Sequence, residues 1–296
     1  MQGFEIYGVK GNVKQKKRKL AMDQKDIKYL VLDIDGTLTN SEKEITPKTK
    51  EGIIRVMERG HKVILASGRP TAGMMRYAEE LEFGKRGGYL LAFNGGCIFE
   101  YKTGNIVFQK TLPPYVIPGL HRFATQNDCG LVTYLGNNII VGTRMDEYIK
   151  LEASINGMGI RPVDNFVNFV TFDVNKCLMT APPEKAEELV GKLQEQYRDI
   201  LSIYRSEPFF IEIMPKDIDK AKSLDRMMCT VGLTKDNCIC CGDGFNNMTM
   251  IRYAGVGVAM ENAQPAIKEA ADFVTDSNDN DGIVKVIDTF ILPKEE

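Results

Sequence analysis

From Lys28 onward, short unbroken apolar runs alternate with stretches in which apolar residues recur every three or four positions. Tyr29-Leu30-Val31-Leu32, Val63-Ile64-Leu65-Ala66 and Tyr89-Leu90-Leu91-Ala92-Phe93 have strand length, and their continuous apolarity marks strands buried on both faces. Between them, Thr46-Pro47 supplies a cap and a first-turn proline for a helix striped by Ile53, Ile54 and Met57 and closed by Gly60. A second helix runs through Met74, Met75, Ala78 and Leu81. Cys97–Glu100 and Ile106–Phe108, joined through Lys102-Thr103-Gly104-Asn105, read as a hairpin. This alternation predicts a mostly parallel sheet with helices on both faces.

The texture changes at Pro113-Pro114. A helix carrying Val116, Ile117, Leu120, Phe123 and Ala124 precedes a hairpin of Leu131–Leu135 and Ile139–Val141. Strand-like stretches at Phe169–Phe172 and Lys176–Met179 lead to a helix opened by Pro182-Pro183 and striped by Ala186, Leu189, Val190, Leu193 and Tyr197. Leu201–Tyr204 and Phe209–Ile213 follow as a strand pair. The α/β rhythm then returns with a helix from Lys220 to Gly232, strands at Asn237–Cys241 and Val256–Met260, a helix near Pro265–Ala271 and a short strand at Phe273-Val274. The expected organisation is a basic, disordered extension over residues 1–25, an α/β core over 26–112 and 209–296, and an inserted α+β unit over 113–208.

Composition narrows the classes. The 296 residues are 43% hydrophobic and 26% charged with a net charge of -2, which offers nucleic acid no basic surface beyond the run Lys14-Gln15-Lys16-Lys17-Arg18-Lys19. No apolar run approaches the ~18–20 residues of a membrane span and no secretory leader is recognisable, so a cytoplasmic address is expected. The 7 cysteines lack the spacing of a disulfide framework, and Cys238-Ile239-Cys240-Cys241 has no second pair to complete a zinc site. With only His61 and His121, chemistry falls to carboxylates, lysine and hydroxyls.

Three core strands end in polar, glycine-bearing loops: Asp33-Ile34-Asp35-Gly36-Thr37, Ser67-Gly68-Arg69 and Gly242-Asp243-Gly244-Phe245-Asn246-Asn247. Gathered at one sheet edge, they would pool three carboxylates, a hydroxyl and backbone amides. Clustered carboxylates repel, and a hard divalent cation with oxygen ligands, foremost Mg2+, resolves that repulsion while leaving room for a phosphate oxygen. Lys220 can neutralise further charge.

With its Asp-x-Asp-Gly-Thr-Leu motif at Asp33–Leu38, Ser67, Lys220 and Gly-Asp-Gly-x-Asn at Gly242–Asn246, the stretch from 28 to about 291 resembles the haloacid dehalogenase superfamily, specifically its Cof-like subfamily IIB sugar-phosphate phosphatases. The resemblance implies a Rossmann-like core with an inserted α+β cap of type C2B, and hydrolysis of small phosphorylated metabolites. Asp33 would be the nucleophile and Asp35 the general acid and base. Ser67, Gly68, Arg69, Lys220 and Asn246 would meet phosphate or substrate, and Asp33, Asp243 and the backbone carbonyl of Asp35 would hold Mg2+. Two departures stand out. Lys220-Ala221 replaces the usual Lys-Gly, and Asn246-Asn247 replaces Asn-Asp, which predicts weaker metal binding. A phosphomutase and a sugar-phosphate binding protein with weakened catalysis are the alternatives.

Overall fold

The computed structural model describes residues 24–293. Its strands, in chain order, are β1 (Tyr29–Leu32), β2 (Lys62–Ala66), β3 (Tyr89–Ala92), β4 (Cys97–Glu100), β5 (Ile106–Gln109), β6 (Gly130–Leu135), β7 (Asn138–Val141), β8 (Gly159–Pro162), β9 (Cys177–Thr180), β10 (Leu201–Glu207), β11 (Phe210–Pro215), β12 (Cys238–Gly242), β13 (Val256–Ala259) and β14 (Phe273–Val274). Eight of them form one sheet in the order β14-β13-β12-β1-β2-β3-β4-β5, and six form another in the order β10-β11-β9-β6-β7-β8.

β1 is the hinge of the first sheet's topology. It pairs in parallel with β2 on one side and with β12 on the other. Strand order therefore reverses beside β1, and the crevice outside its carboxyl end is where an open α/β sheet can seat a ligand. Alternation along β1 sends Leu30 and Leu32 into one apolar layer with the helices Pro47–Glu58, Thr71–Glu80 and Gly282–Phe290. Tyr29 and Val31 enter the opposite layer with Lys220–Thr230 and Met248–Tyr253. Both faces are covered, as the unbroken apolar runs require.

The second sheet is antiparallel except for the β7–β8 pair. Helices Ile117–Gln126 and Pro183–Tyr197 pack on its outer face over Leu131, Cys177, Met179, Ile211 and Ile213. The inner face carries Val132, Leu178 and Phe210, which meet the helix Glu147–Asn156 through Ile149 and Ala153. The chain crosses between the sheets at two adjacent places. Lys110 Nζ donates to Lys216 O at 2.5 Å and ties the crossings together, and Leu112 N donates to Val174 O at 2.7 Å.

The structure moves several expected boundaries. Phe210–Pro215 is an interior strand of the second sheet, paired with β9 and β10, so the inserted unit extends through 215 and the core does not resume at 209. The stretch expected as a strand at Phe169–Phe172 instead ends a short helix, Phe166–Phe169, because the Asn165 side chain caps it by accepting from Asn168 N at 3.0 Å. The helices Glu147–Asn156 and Gly282–Phe290 and the strand β8 have no counterpart in the sequence reading. Most of the expected extension over 1–25 lies outside the described residues. Among the described residues, no helix is long and apolar enough to cross a membrane.

Candidate active site

Asp33 leaves β1 still bound to the sheet, its amide donating to Cys241 O at 3.1 Å. The loop folds back on itself through Leu38 N to Asp33 O (3.1 Å) and Thr39 N to Ile34 O (3.0 Å). Gly36 has φ +77, and a Cβ there would lie 2.3 Å from Asp243 Oδ2. Both the backbone conformation and the approach of the neighbouring strand end require glycine. Thr37 Oγ1 donates to Asp243 Oδ1 at 2.9 Å, so the first loop grips the third.

Lys220 is the first residue of its helix. Asp219 caps that helix, its side chain accepting from Lys222 N at 2.9 Å. The Lys220 side chain is fully buried, and its ammonium finds three acceptors: Asp33 Oδ1 at 2.7 Å, Asn247 Oδ1 at 2.7 Å and Ala66 O at 2.9 Å. Three donors meet three oxygens from the three strand-end regions, the arrangement a buried cation needs to be tolerated. Asn247, also fully buried, donates from Nδ2 to Asp33 Oδ2 at 3.1 Å. Both carboxylate oxygens of Asp33 are thereby fixed.

Asp243 stands beside Asp33 without such a partner set. Burial, then the negative charge of Asp33, pushes its carboxyl up to about 6, with the Thr37 hydrogen bond and Lys220 only partly opposing. Among the described residues no three His, Cys, Asp or Glu side chains gather as a metal cluster, although the charge of Asp35 as well as that of Asp33 acts on Asp243. Two carboxylates and a backbone carbonyl nonetheless suit Mg2+, which commonly takes one or two carboxylates and completes its shell with water and phosphate oxygens. The Asp243 carboxyl is raised first by burial and then by the Asp33 charge, and a cation beside it would favour the ionised form.

Asp35 has cationic partners of its own. Arg69 grips it with a two-pronged contact, Nε to Oδ2 and Nη2 to Oδ1, both at 2.9 Å, and Lys43 Nζ adds a contact at 3.2 Å. Burial pushes the Asp35 carboxyl up, but these cations outweigh it and hold the group below its ordinary value. Arg69 also donates from Nη1 to Ile155 O, at 2.6 Å, on a helix of the inserted unit. The residue expected at phosphate thus binds an acid and the second unit. Ser67 is buried, and its Oγ accepts from Arg69 N at 3.2 Å, which shapes the loop that presents the Gly68 amide.

Asn246 is exposed and contributes no described hydrogen bond to this network, whereas its neighbour Asn247 is the buried member. Beside the expected weakening of metal binding, Asn247 has a second role, since its amide joins Asp33 to Lys220. The sequence reading also missed a buried polar group on the inner face of the second sheet. Lys176 Nζ lies 3.0 Å from Glu212 Oε2, and Tyr134 OH donates to Glu152 Oε1 at 2.7 Å. A lone charge inside an otherwise apolar run, as at Phe209-Phe210-Ile211-Glu212-Ile213, is the signal that could have found it.

Known proteins share this fold. A family model described as haloacid dehalogenase-like hydrolase matches residues 30–287. A haloacid dehalogenase-like hydrolase from Bacteroides thetaiotaomicron superimposes with a TM-score of 0.85 at 40% identity, covering 88% of this chain and 98% of that one. The subclass IIB sugar phosphatase BT4131 superimposes with a TM-score of 0.74 at 26% identity, covering 89% and 98%. The 5-amino-6-(5-phospho-D-ribitylamino)uracil phosphatase YcsE of Bacillus subtilis (strain 168) is 28% identical over 272 residues, 90% of this chain and 97% of its own length.

Proposed function

The chain belongs to the haloacid dehalogenase-like hydrolase family, and we propose that within it this protein is a Mg2+-dependent phosphomonoester hydrolase acting on small phosphorylated metabolites, sugar phosphates foremost. Solved relatives include a sugar phosphatase, and YcsE acts on a ribityl phosphate; both names describe phosphate esters of polyhydroxylated alcohols.

The observation that carries the reading is the fixed Asp33 carboxylate, held by Lys220 at one oxygen and Asn247 at the other. A nucleophile gains most from being oriented before the substrate arrives. Asp33 attacks phosphorus, the ester P–O bond breaks, and the departing alkoxide takes a proton from Asp35 to leave as an alcohol. Asp35 then removes a proton from water, which attacks the aspartyl-phosphate and releases inorganic phosphate. Lys220 and the Ser67–Gly68 loop balance the charge of the transferring group. Mg2+, held by Asp33, Asp243 and the Asp35 carbonyl, would supply the positive charge that lets a carboxylate approach an anionic ester. Arg69 keeps Asp35 unprotonated in the present arrangement, so proton donation requires that pair to part as substrate enters.

Hydrolysis of p-nitrophenyl phosphate across a Mg2+ titration tests the reading, with Asp33→Asn alongside. Metal-dependent turnover that Asp33→Asn abolishes supports it. A folded wild type inactive on this ester and on a panel of sugar phosphates refutes it. Isomerisation of a hexose phosphate without phosphate release would identify the phosphomutase.

A further inference from the structure

We propose that Lys176 is a positioning residue for phosphoryl transfer, acting from the inserted unit through the Gly68–Arg69 peptide to aim the Ser67 hydroxyl at the transferring group. This role rests on the phosphatase reading, in which Lys176 touches neither substrate nor metal.

The loop after β2 presents three successive carbonyls, and each meets a donor. Ser67 O accepts from Asn94 N at 2.9 Å and Arg69 O accepts from Phe93 N at 3.0 Å. Gly68 O, between them, is met by Lys176 Nζ at 3.4 Å. Phe93 and Asn94 hold left-handed backbone, with φ 52 and φ 51, which residues bearing a side chain adopt at a cost. The core thus fixes the two outer peptides. Glycine turns more freely than any other residue, so the peptide after Gly68 is the one that most needs a further hold.

A peptide unit is planar, with its C=O and N–H pointing opposite ways. Drawing Gly68 O toward Lys176 therefore turns the Arg69 N–H the other way, and that N–H donates to Ser67 Oγ at 3.2 Å. A hydroxyl oxygen that accepts from the backbone keeps its own hydrogen to donate to a phosphoryl oxygen. A cation at the carbonyl also polarises the peptide and strengthens its N–H as a donor.

Lys176 is held for this role at both ends. Beside it, Asn175 Nδ2 donates to Gly96 O at 3.0 Å and to Lys110 O at 3.1 Å, and Gln109 Nε2 donates to Asn175 Oδ1 at 3.0 Å. The base of the lysine is therefore tied to the core. Its side chain is buried over the Tyr134 ring and pairs with Glu212 Oε2 at 3.0 Å. Burial works against the charge, but Glu212 and then Glu152 outweigh it and hold the ammonium above its ordinary value. Well-packed apolar residues would serve stability as well as this buried pair, so the charge calls for another account.

Steady-state kinetics of the Mg2+-loaded enzyme on p-nitrophenyl phosphate and glucose 6-phosphate test the relay, in the wild-type and Ser67→Ala backgrounds. Lys176→Met should lower kcat/KM by roughly 10–100-fold on both esters alike, because the loss lies at the phosphoryl group they share. In the Ser67→Ala background the same substitution should lower it by less than about twofold, since the hydroxyl it aims is already gone. Lys176→Met with Glu212→Leu replaces the pair by apolar residues, so no buried carboxylate is left unpaired, and it should show the same loss. Wild-type kcat/KM in that paired variant would assign Lys176 to neutralising Glu212 and overturn the proposal. A loss that multiplies with that of Ser67→Ala overturns it too, as does a loss confined to one ester, which would make Lys176 a leaving-group contact. A folded wild type inactive on both esters and on a panel of sugar phosphates overturns the phosphatase reading itself.

Discussion

Asn247 donates to Asp33 Oδ2 at 3.1 Å while accepting from Lys220 at 2.7 Å, so one neutral side chain joins the nucleophile to its counter-cation. A carboxylate at this position would accept from Lys220 equally well but could not donate to Asp33. Asn247→Asp should therefore lower kcat by about tenfold or more through misorientation and repulsion. Asn247→Leu removes both bonds and should destabilise by ~1–3 kcal/mol, because Lys220 and Asp33 each lose a buried partner. Urea denaturation beside steady-state kinetics separates the two. An Asn247→Asp enzyme with undiminished kcat would contradict this assignment.

Removing the cation is a harsher change. Lys220→Met leaves Asp33 at the buried end of β1 without its ion pair and should destabilise by roughly 3–5 kcal/mol. The double variant Lys220→Met with Asp33→Leu should recover part of that loss, a coupling that a double-mutant cycle in urea would measure.

Asp243 makes the metal-free protein pH-dependent in an unusual direction. Its folded carboxyl, raised to about 6, holds a proton over a range where the unfolded chain, near ~3.9, has released it. This contribution to stability is fully present below the unfolded value and is lost as pH rises through about 6. With chelator present, the Tm of Asp243→Asn should gain on the wild type between pH 4 and 7. A constant difference across that window would show that Asp243 does not carry the effect.

Arg69 spans Asp35 and Ile155 O, and only a planar fork can serve both at once. Arg69→Lys should expose the Glu147–Asn156 helix to faster amide exchange and shift the acid limb of the kcat/KM profile upward, since Asp35 of the free enzyme loses a two-pronged cationic partner. Hydrogen exchange unchanged in that helix would show that the Ile155 contact does not hold it.

Gly36→Ala combines a left-handed backbone with a Cβ 2.3 Å from Asp243 Oδ2. A loss of about 1–3 kcal/mol is expected, accompanied by loss of turnover because Asp243 must shift. Thermal melting and activity together check it.

Most of the core was legible because strands buried on both faces write themselves as unbroken apolar runs, as Tyr29–Leu32 and Tyr89–Ala92 do. Asp33, Asp35, Ser67, Asp243 and Lys220 were legible because each follows such a run or opens a capped helix. The residues that escaped depend on distant pairing. Asn247 differs from Asn246 only in which way a short helical turn points it, and Glu212 is accounted for by Lys176 on another strand. Phe169 misled because its apolar neighbours suit a strand, while the decisive signal was the Asn165 cap upstream.

The Lys110–Lys216 contact holds the two chain crossings side by side and pins them together at one narrow place. The returning segment runs from that pin into the Asp219 cap and Lys220. The lysine that steadies the nucleophile is thus rooted beside the crossings, whereas Lys176 reaches Gly68 O and Arg69 reaches Ile155 O from one unit to the other.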